Sequence, residues 1–355
     1  MTRELWTLGV ATPKSAASAA ARAEAAGYDG WLVVDSQNLS GDPYVALAAA
    51  AQATTTLGLG TGVTNPFTRH PAVTACSIAT IQEISGGRAV LGIGRGDSSL
   101  AHIGLAPAPP ALFERYLAQV QAYLAGRELA LDAAAGTTEI APVSTLGLAH
   151  TPATSRIAWL PSAEQKVPVD VAATGPTVIA AAARQADRIT FAVGADPARL
   201  RWACDLATAE RRSVAAVPLS FGAWVTIAVH DDRAVARRLV SGSLATFTRF
   251  ASMHGKATGP VTDEQRDVLE RVHDAYDMTR HTQAGTAQAA QLTDAFVDTY
   301  AVVGPPSYCA ERLHELFDLG LQRLVLIAGS SGVEANLVRA ANRRLVDEVI
   351  PAVKR

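Results

Sequence analysis

The chain has 355 residues, with 31 Lys and Arg against 33 Asp and Glu, a net charge of −2, 49% hydrophobic residues and 18% charged ones. That balance excludes a disordered chain, offers no basic face for a nucleic-acid backbone, and includes no apolar run near the roughly 20 residues that span a bilayer. Cys76, Cys204 and Cys309 are too few and too scattered for a disulfide framework or a closed zinc site, and the start from Met1 to Trp6 lacks the pattern of a secretory leader, which together point to a reducing cytoplasm.

Short apolar runs alternate with longer Ala-rich stretches of helical period. A first predicted strand, 5–10, is followed by a helix over 15–26 that Gly27 ends and by a second strand at 31–34. The rhythm continues with a helix over 43–53, a strand at about 57–63, a helix over 71–84 and a strand at 89–93. A helix over 112–124 closes the fourth unit. Between about 130 and 168 the period fails, punctuated by Gly136, Pro142, Gly147, Pro152 and Pro161, which reads as an insertion. Strands at 169–172 and 188–193 then alternate with helices over 177–186 and 197–213. The seventh strand, 220–229, precedes a long polar helical region over about 231–298. A helix over 307–319, an eighth strand at 323–327 and a helix over 334–350 follow.

Eight buried strands separated by helices predict an α/β fold: a single (β/α)8 TIM-barrel domain over residues 1–355, with insertions at about 130–168 and 231–298. A doubly wound sheet is the rival, but no Pro- or Gly-rich linker divides the chain into halves. In such barrels chemistry sits at the C-terminal ends of the strands. The residues found there are Asp35-Ser36-Gln37 after the second strand, Thr64-Asn65-Pro66 after the third and Gly94-Arg95-Gly96-Asp97 after the fourth. Thr174-Gly175-Pro176-Thr177 follows the fifth and Gly194-Ala195-Asp196 the sixth.

Gly175-Pro176-Thr177 ends a strand and opens a helix, the form of an anion site, although capping and turn geometry alone would also call for these residues. Val193-Gly194 makes a second glycine turn on the adjacent strand. The run Gly92-Ile93-Gly94-Arg95-Gly96-Asp97 has the spacing G-x-G-x-G with no helix expected directly on it, which is not the dinucleotide fingerprint. Widely separated histidines give no metal-ligand pair. None of Lys14, Lys166, Lys256 and Lys354 falls at a strand end, so imine chemistry has no candidate. Asp35 and Asp97 are the carboxylates best placed for chemistry, and for each a role in accepting N–H bonds from the next turn is also open.

The segment Gly62-Val63-Thr64-Asn65-Pro66-Phe67-Thr68-Arg69-His70-Pro71, with Ile84-Ser85-Gly86-Gly87-Arg88 and Leu91-Gly92-Ile93-Gly94, resembles the luciferase-like monooxygenase superfamily. Ala172 to Pro176, Val193-Gly194 and Val303-Gly304-Pro305 extend the likeness to later β–α units. Within the superfamily Val63 to Pro66, Asp35 and Gly96-Asp97 are most similar to the branch that uses the deazaflavin coenzyme F420, and especially to its pterin reductases. That resemblance implies a non-prolyl cis peptide at Gly62–Val63 backing the deazaflavin ring, with Thr64 and Asn65 as ring neighbours. It also implies Asp35 and Asp97 as active-site carboxylates, and Gly175, Pro176, Thr177, Val193 and Gly194 as phosphate contacts. One departure stands out: where the pterin reductases carry a glutamate near the end of the first strand, this chain has Glu4 before the strand and Trp6, Thr7 and Leu8 within it.

The expected function is an F420-dependent oxidoreductase passing hydride between the deazaflavin and a small organic substrate such as an imine, enone or pterin, with Asp97 or Asp35 as acid/base. An FMN-dependent monooxygenase using reduced flavin and dioxygen, and a non-catalytic flavin-binding protein, are the alternatives. The insertions are expected to cover the barrel mouth and shape the substrate pocket. The resemblance implies a homodimer.

Overall fold

The computed structural model describes residues 3–12, 14–131, 141–160, 166–214 and 217–355. Met1, Thr2, Gly136 and Pro161 lie outside the described residues. In chain order the strands are β1 (Glu4–Gly9), β2 (Gly30–Val33), β3 (Gly58–Thr61), β4 (Ala89–Ile93), β5 (Leu129–Ala130), β6 (Thr154–Ser155), β7 (Val169–Ala173), β8 (Arg188–Phe191), β9 (Ser220–Val229), β10 (Val302–Gly304) and β11 (Arg323–Ala328). Eight of them, β1-β2-β3-β4-β7-β8-β9-β11, pair in parallel and close on themselves through β11 and β1. This is the (β/α)8 barrel that the alternation predicts, and its eight strands coincide with the eight expected apolar runs.

Two departures have simple causes. At ten residues β9 outruns its neighbours: β8 pairs with it only up to Ala223, leaving an open backbone edge that β10 fills at Ile227 to Val229. With only Val302, Val303 and Gly304, β10 is too short to register as a periodic apolar run. The second is a single helical turn, Ser98–Ala101, directly after Gly96-Asp97, where no helix is expected. In the first insertion β5 and β6 form a small antiparallel pair. The second supplies helices Arg233–Arg249, Asp263–Asp274 and Asp294–Tyr300, joined by short 3-10 turns.

Helices Pro43–Ala53, Pro71–Ser85, Pro176–Gln185, Pro197–Arg212 and Pro306–Asp318 each begin on proline, whose fixed φ suits the first helical position. Their apolar faces pack on the outward side chains of the strands, among them Leu5, Val33, Leu59, Leu91, Val171 and Ile189. The alternate residues face inward. There Trp6, Leu32, Val90, Ala192, Trp224, Val325 and Ile327 form a separate interior cluster. Large rings fit because the neighbouring strands β2 and β3 carry glycine: a Cβ on Gly30 would lie 2.2 Å from the Trp6 ring, and one on Gly58 2.7 Å from it. Next to Trp6, toward the strand N-termini, the interior is polar. Fully buried Arg323 donates to Asp170 Oδ2 at 2.8 Å and to Thr190 Oγ1 at 3.0 Å, and Thr190 in turn donates to Asp170 at 2.9 Å. The barrel is therefore plugged from below by this polar cluster.

Candidate active site

That mouth holds a cavity of about 720 Å³, a size suited to a small organic molecule or cofactor. Part of its wall is the backbone leaving β3, where the Gly62–Val63 peptide is cis, as the resemblance implies. A Cβ on Gly62 would stand 2.8 Å from both Leu32 Cβ and Leu8 Cδ1, so the packing admits only glycine there. Gly175, Pro176 and Thr177, at the start of the helix after β7, form another part. Gly175 is the N-cap and has no side chain to cap with, and a Cβ placed on it would meet nothing closer than Thr258 Oγ1 at 3.9 Å. Pro176 has no N–H and the Val178 N–H bonds the Gly175 carbonyl at 3.1 Å, so the first turn presents the Thr177 N–H and its positive dipole end to open space.

Asp35 and Asp97 both line the cavity. Asp35 Oδ2 accepts from Thr64 Oγ1 at 2.6 Å and from Arg69 Nη1 at 2.6 Å. Arg69 is itself steered by Asp42, at 2.7 Å, and by the Tyr44 ring beneath its guanidinium at 4.8 Å. Asp97 occupies the N-cap position of the Ser98–Ala101 turn yet makes no capping bond, because its Oδ1 is taken by Arg249. Neither side chain therefore serves the turn-capping role that the residue pattern also allowed. Asp35 Oδ1 and Asp97 Oδ2 are buried with no hydrogen-bond partner. Buried acceptors of this kind are rare enough in proteins to point to a missing donor.

The second insertion contributes a wall that sequence reasoning missed. Arg249 ends helix Arg233–Arg249, stacked over the Tyr276 ring at 4.5 Å, with Asp97 and Tyr276 holding its pKa above the ordinary value against the opposing effect of burial. Phe247 packs on Trp224 at 5.8 Å and edge-on to Phe250 at 5.6 Å, giving an apolar surface that continues the interior cluster. His281 lines the cavity as well, with Nδ1 2.8 Å from the Tyr276 hydroxyl. Its neighbour Thr282 has φ +61, and among the described residues it is the one non-glycine with positive φ. A β-branched residue in that region marks a constrained backbone. None of these residues sits in a strand-end motif.

Other expected site residues lie elsewhere. Thr64 and Asn65 are fully buried behind the Gly62–Val63 wall, Thr64 bonding Asp35 and Asn65 Oδ1 accepting from the Phe67 and Thr68 N–H groups. Val193 is a core residue whose carbonyl accepts from Arg199. Gly194 has φ +79, and a Cβ there would strike the Tyr300 ring at 2.7 Å, so backbone conformation and packing each call for this glycine. Neither Val193 nor Gly194 lines the cavity. Glu4 is the first residue of β1, at the closed end, where it accepts from the Trp6 indole at 2.9 Å. At the open end the first strand offers Leu8 and, just beyond it, Val10.

The family model for luciferase-like monooxygenases matches residues 3–323. The chain belongs to this family. Among relatives of this luciferase-like protein, the 5,10-methylenetetrahydromethanopterin reductase of Archaeoglobus fulgidus is 30% identical over 322 residues, covering 87% of each chain. Two solved structures share the fold over their full length and that of this chain. The coenzyme F420-dependent tetrahydromethanopterin reductase of Methanopyrus kandleri has a TM-score of 0.73 at 20% identity, and an F420-dependent secondary alcohol dehydrogenase in complex with an F420–acetone adduct has 0.68 at 18%.

Proposed function

We propose that this protein is an F420-dependent oxidoreductase that exchanges hydride between the deazaflavin and a small organic substrate. The observation that carries this reading is a single cavity that joins the Gly62–Val63 wall to the open helix start at Gly175. Relatives named for F420 support it. The residues present fit the coenzyme: Gly175 leaves room for a phosphate against the Thr177 N–H, and the two orphaned carboxylate oxygens await donors. When bound, the deazaflavin supplies a carbon that gives or takes a hydride.

The protein's part is placement. Gly62 and Val63 form a wall for the ring, the helix start holds the anionic tail, and Phe247, Phe250 and Leu8 keep water from the reacting face. Asp35 and Asp97 accept hydrogen bonds from bound coenzyme and substrate through their free oxygens. The apolar first-strand end, Leu8 and Val10 in place of a glutamate, favours a small neutral acceptor over a pterin. To test the reading, purified protein is mixed with oxidised F420 and a panel of secondary alcohols, and with reduced F420 and ketones, enones and imines, while deazaflavin absorbance is followed. Turnover with at least one small substrate is expected; tight binding with no absorbance change across the panel contradicts it.

A further inference from the structure

His281 belongs to no strand-end motif, yet its hydrogen-bond surroundings determine its chemistry. Thr246 Oγ1 donates to the Gly242 carbonyl at 3.1 Å, which commits its one hydrogen. Its oxygen accepts from the Thr282 N–H at 3.1 Å and from the Tyr276 hydroxyl at 3.2 Å. With the Tyr276 hydrogen on Thr246, the tyrosine oxygen accepts from His281 Nδ1 at their 2.8 Å contact; with it on Nδ1, the Thr246 contact has no hydrogen. The first arrangement makes one more hydrogen bond and puts the proton on Nδ1. In the neutral ring this leaves Nε2 with its lone pair, with no hydrogen-bond partner among the described residues, in a side chain that lines the cavity.

We propose that His281 is the proton-exchanging residue of this site, with Tyr276 and Thr246 as positioning residues that fix its tautomer, and that the substrate is a small alcohol–ketone pair. The inference rests on the hydride-transfer reading above and deepens it. In the oxidative direction the alcohol O–H proton passes to His281 Nε2 and the carbinol C–H bond breaks, its electron pair leaving as hydride to oxidised F420. The C=O double bond forms, and His281 becomes an imidazolium that returns its proton to solvent. Ketone reduction is the reverse, with reduced F420 as hydride donor. Four charged or titratable groups face the ring: Tyr276, Arg249, Asp97 and His102. Burial lowers the His281 pKa, and Arg249 and His102 add to that against the opposing pull of Asp97, which keeps Nε2 free to accept near neutral pH.

The test has two readouts. Long-range proton–nitrogen NMR of the protein labelled at histidine nitrogen, without coenzyme, identifies the His281 signals by their loss in His281→Gln. A neutral ring protonated on Nδ1 at pH 7 is expected, with Tyr276→Phe shifting it toward the other tautomer; an Nε2-protonated or cationic wild-type ring overturns the proposal. In turnover assays His281→Gln should lower kcat for alcohol oxidation roughly 100-fold while F420 affinity holds. The rise of wild-type kcat/KM with pH should also disappear. Unchanged kcat and pH profile in His281→Gln overturn the role of His281. Wild-type protein that binds F420 but acts on neither alcohols nor ketones overturns the substrate assignment, whereas failure to bind F420 at all overturns the proposed function itself.

Discussion

Replacing Gly175 with valine should leave the fold intact and weaken F420 binding by about 100-fold or more. The backbone at Gly175 has φ −91 and ψ 159, which any residue adopts, and the nearest atom to an added Cβ is 3.9 Å away. Nothing in the protein therefore opposes the larger side chain. It would fill the space through which a phosphate reaches the Thr177 N–H at the positive end of the helix that starts at Pro176. Loss of one or two charge-assisted bonds, about 1.5–3 kcal/mol each, corresponds to roughly two orders of magnitude in affinity. Unfolding curves and F420 titrations of the same preparation separate the two effects. Wild-type affinity in Gly175→Val would mean that the phosphate does not sit at this helix.

The second large effect lies at the closed end of the barrel. Arg323 is 2% exposed and Asp170 6%, and their ion pair is the main compensation for a guanidinium enclosed by strands. Burial pushes the Arg323 pKa below its ordinary value even with Asp170 beside it, so the pair does not fully recover the cost of desolvation. Asp170→Ala should cost about 3–5 kcal/mol, because it leaves a buried charge unpaired. Replacing both partners, as Asp170→Leu with Arg323→Met, should restore most of that stability. Urea unfolding of both variants checks this. A double variant no more stable than Asp170→Ala would show that packing of the interior, and not the unpaired charge, sets the loss.

Much of the barrel was legible because its causes are local. Trp31 to Val33 is buried on all sides and too short for a helix, and Pro43, Pro71 and Pro197 mark helix starts by a backbone preference independent of tertiary context. What could not be read depended on neighbours: β10 exists because β9 overruns β8, which no property of Val302-Val303-Gly304 announces. The site divides the same way. Asp35, Gly62, Val63, Asp97 and Gly175 to Thr177 follow strand ends, and the structure brings them to one cavity. Val193 and Gly194 also follow a strand end, but the glycine there answers to its positive φ and to Tyr300 packing. Arg249, Tyr276 and His281 come from the second insertion, where only helical period was visible. Thr282 adopts φ +61 beside His281, a signal that belongs to the backbone and not to the residue types.

Parallel titration of the purified apo-protein with F420 and with FMN, followed by protein fluorescence, to which Trp224 in the cavity wall contributes, bears most directly on the central claim. Tight, saturable quenching by F420 with little response to FMN is the expected result. Preference for FMN would place the protein with flavin-dependent, oxygen-using members of its family, and no response to either would contradict a coenzyme site between the Gly62–Val63 wall and Gly175.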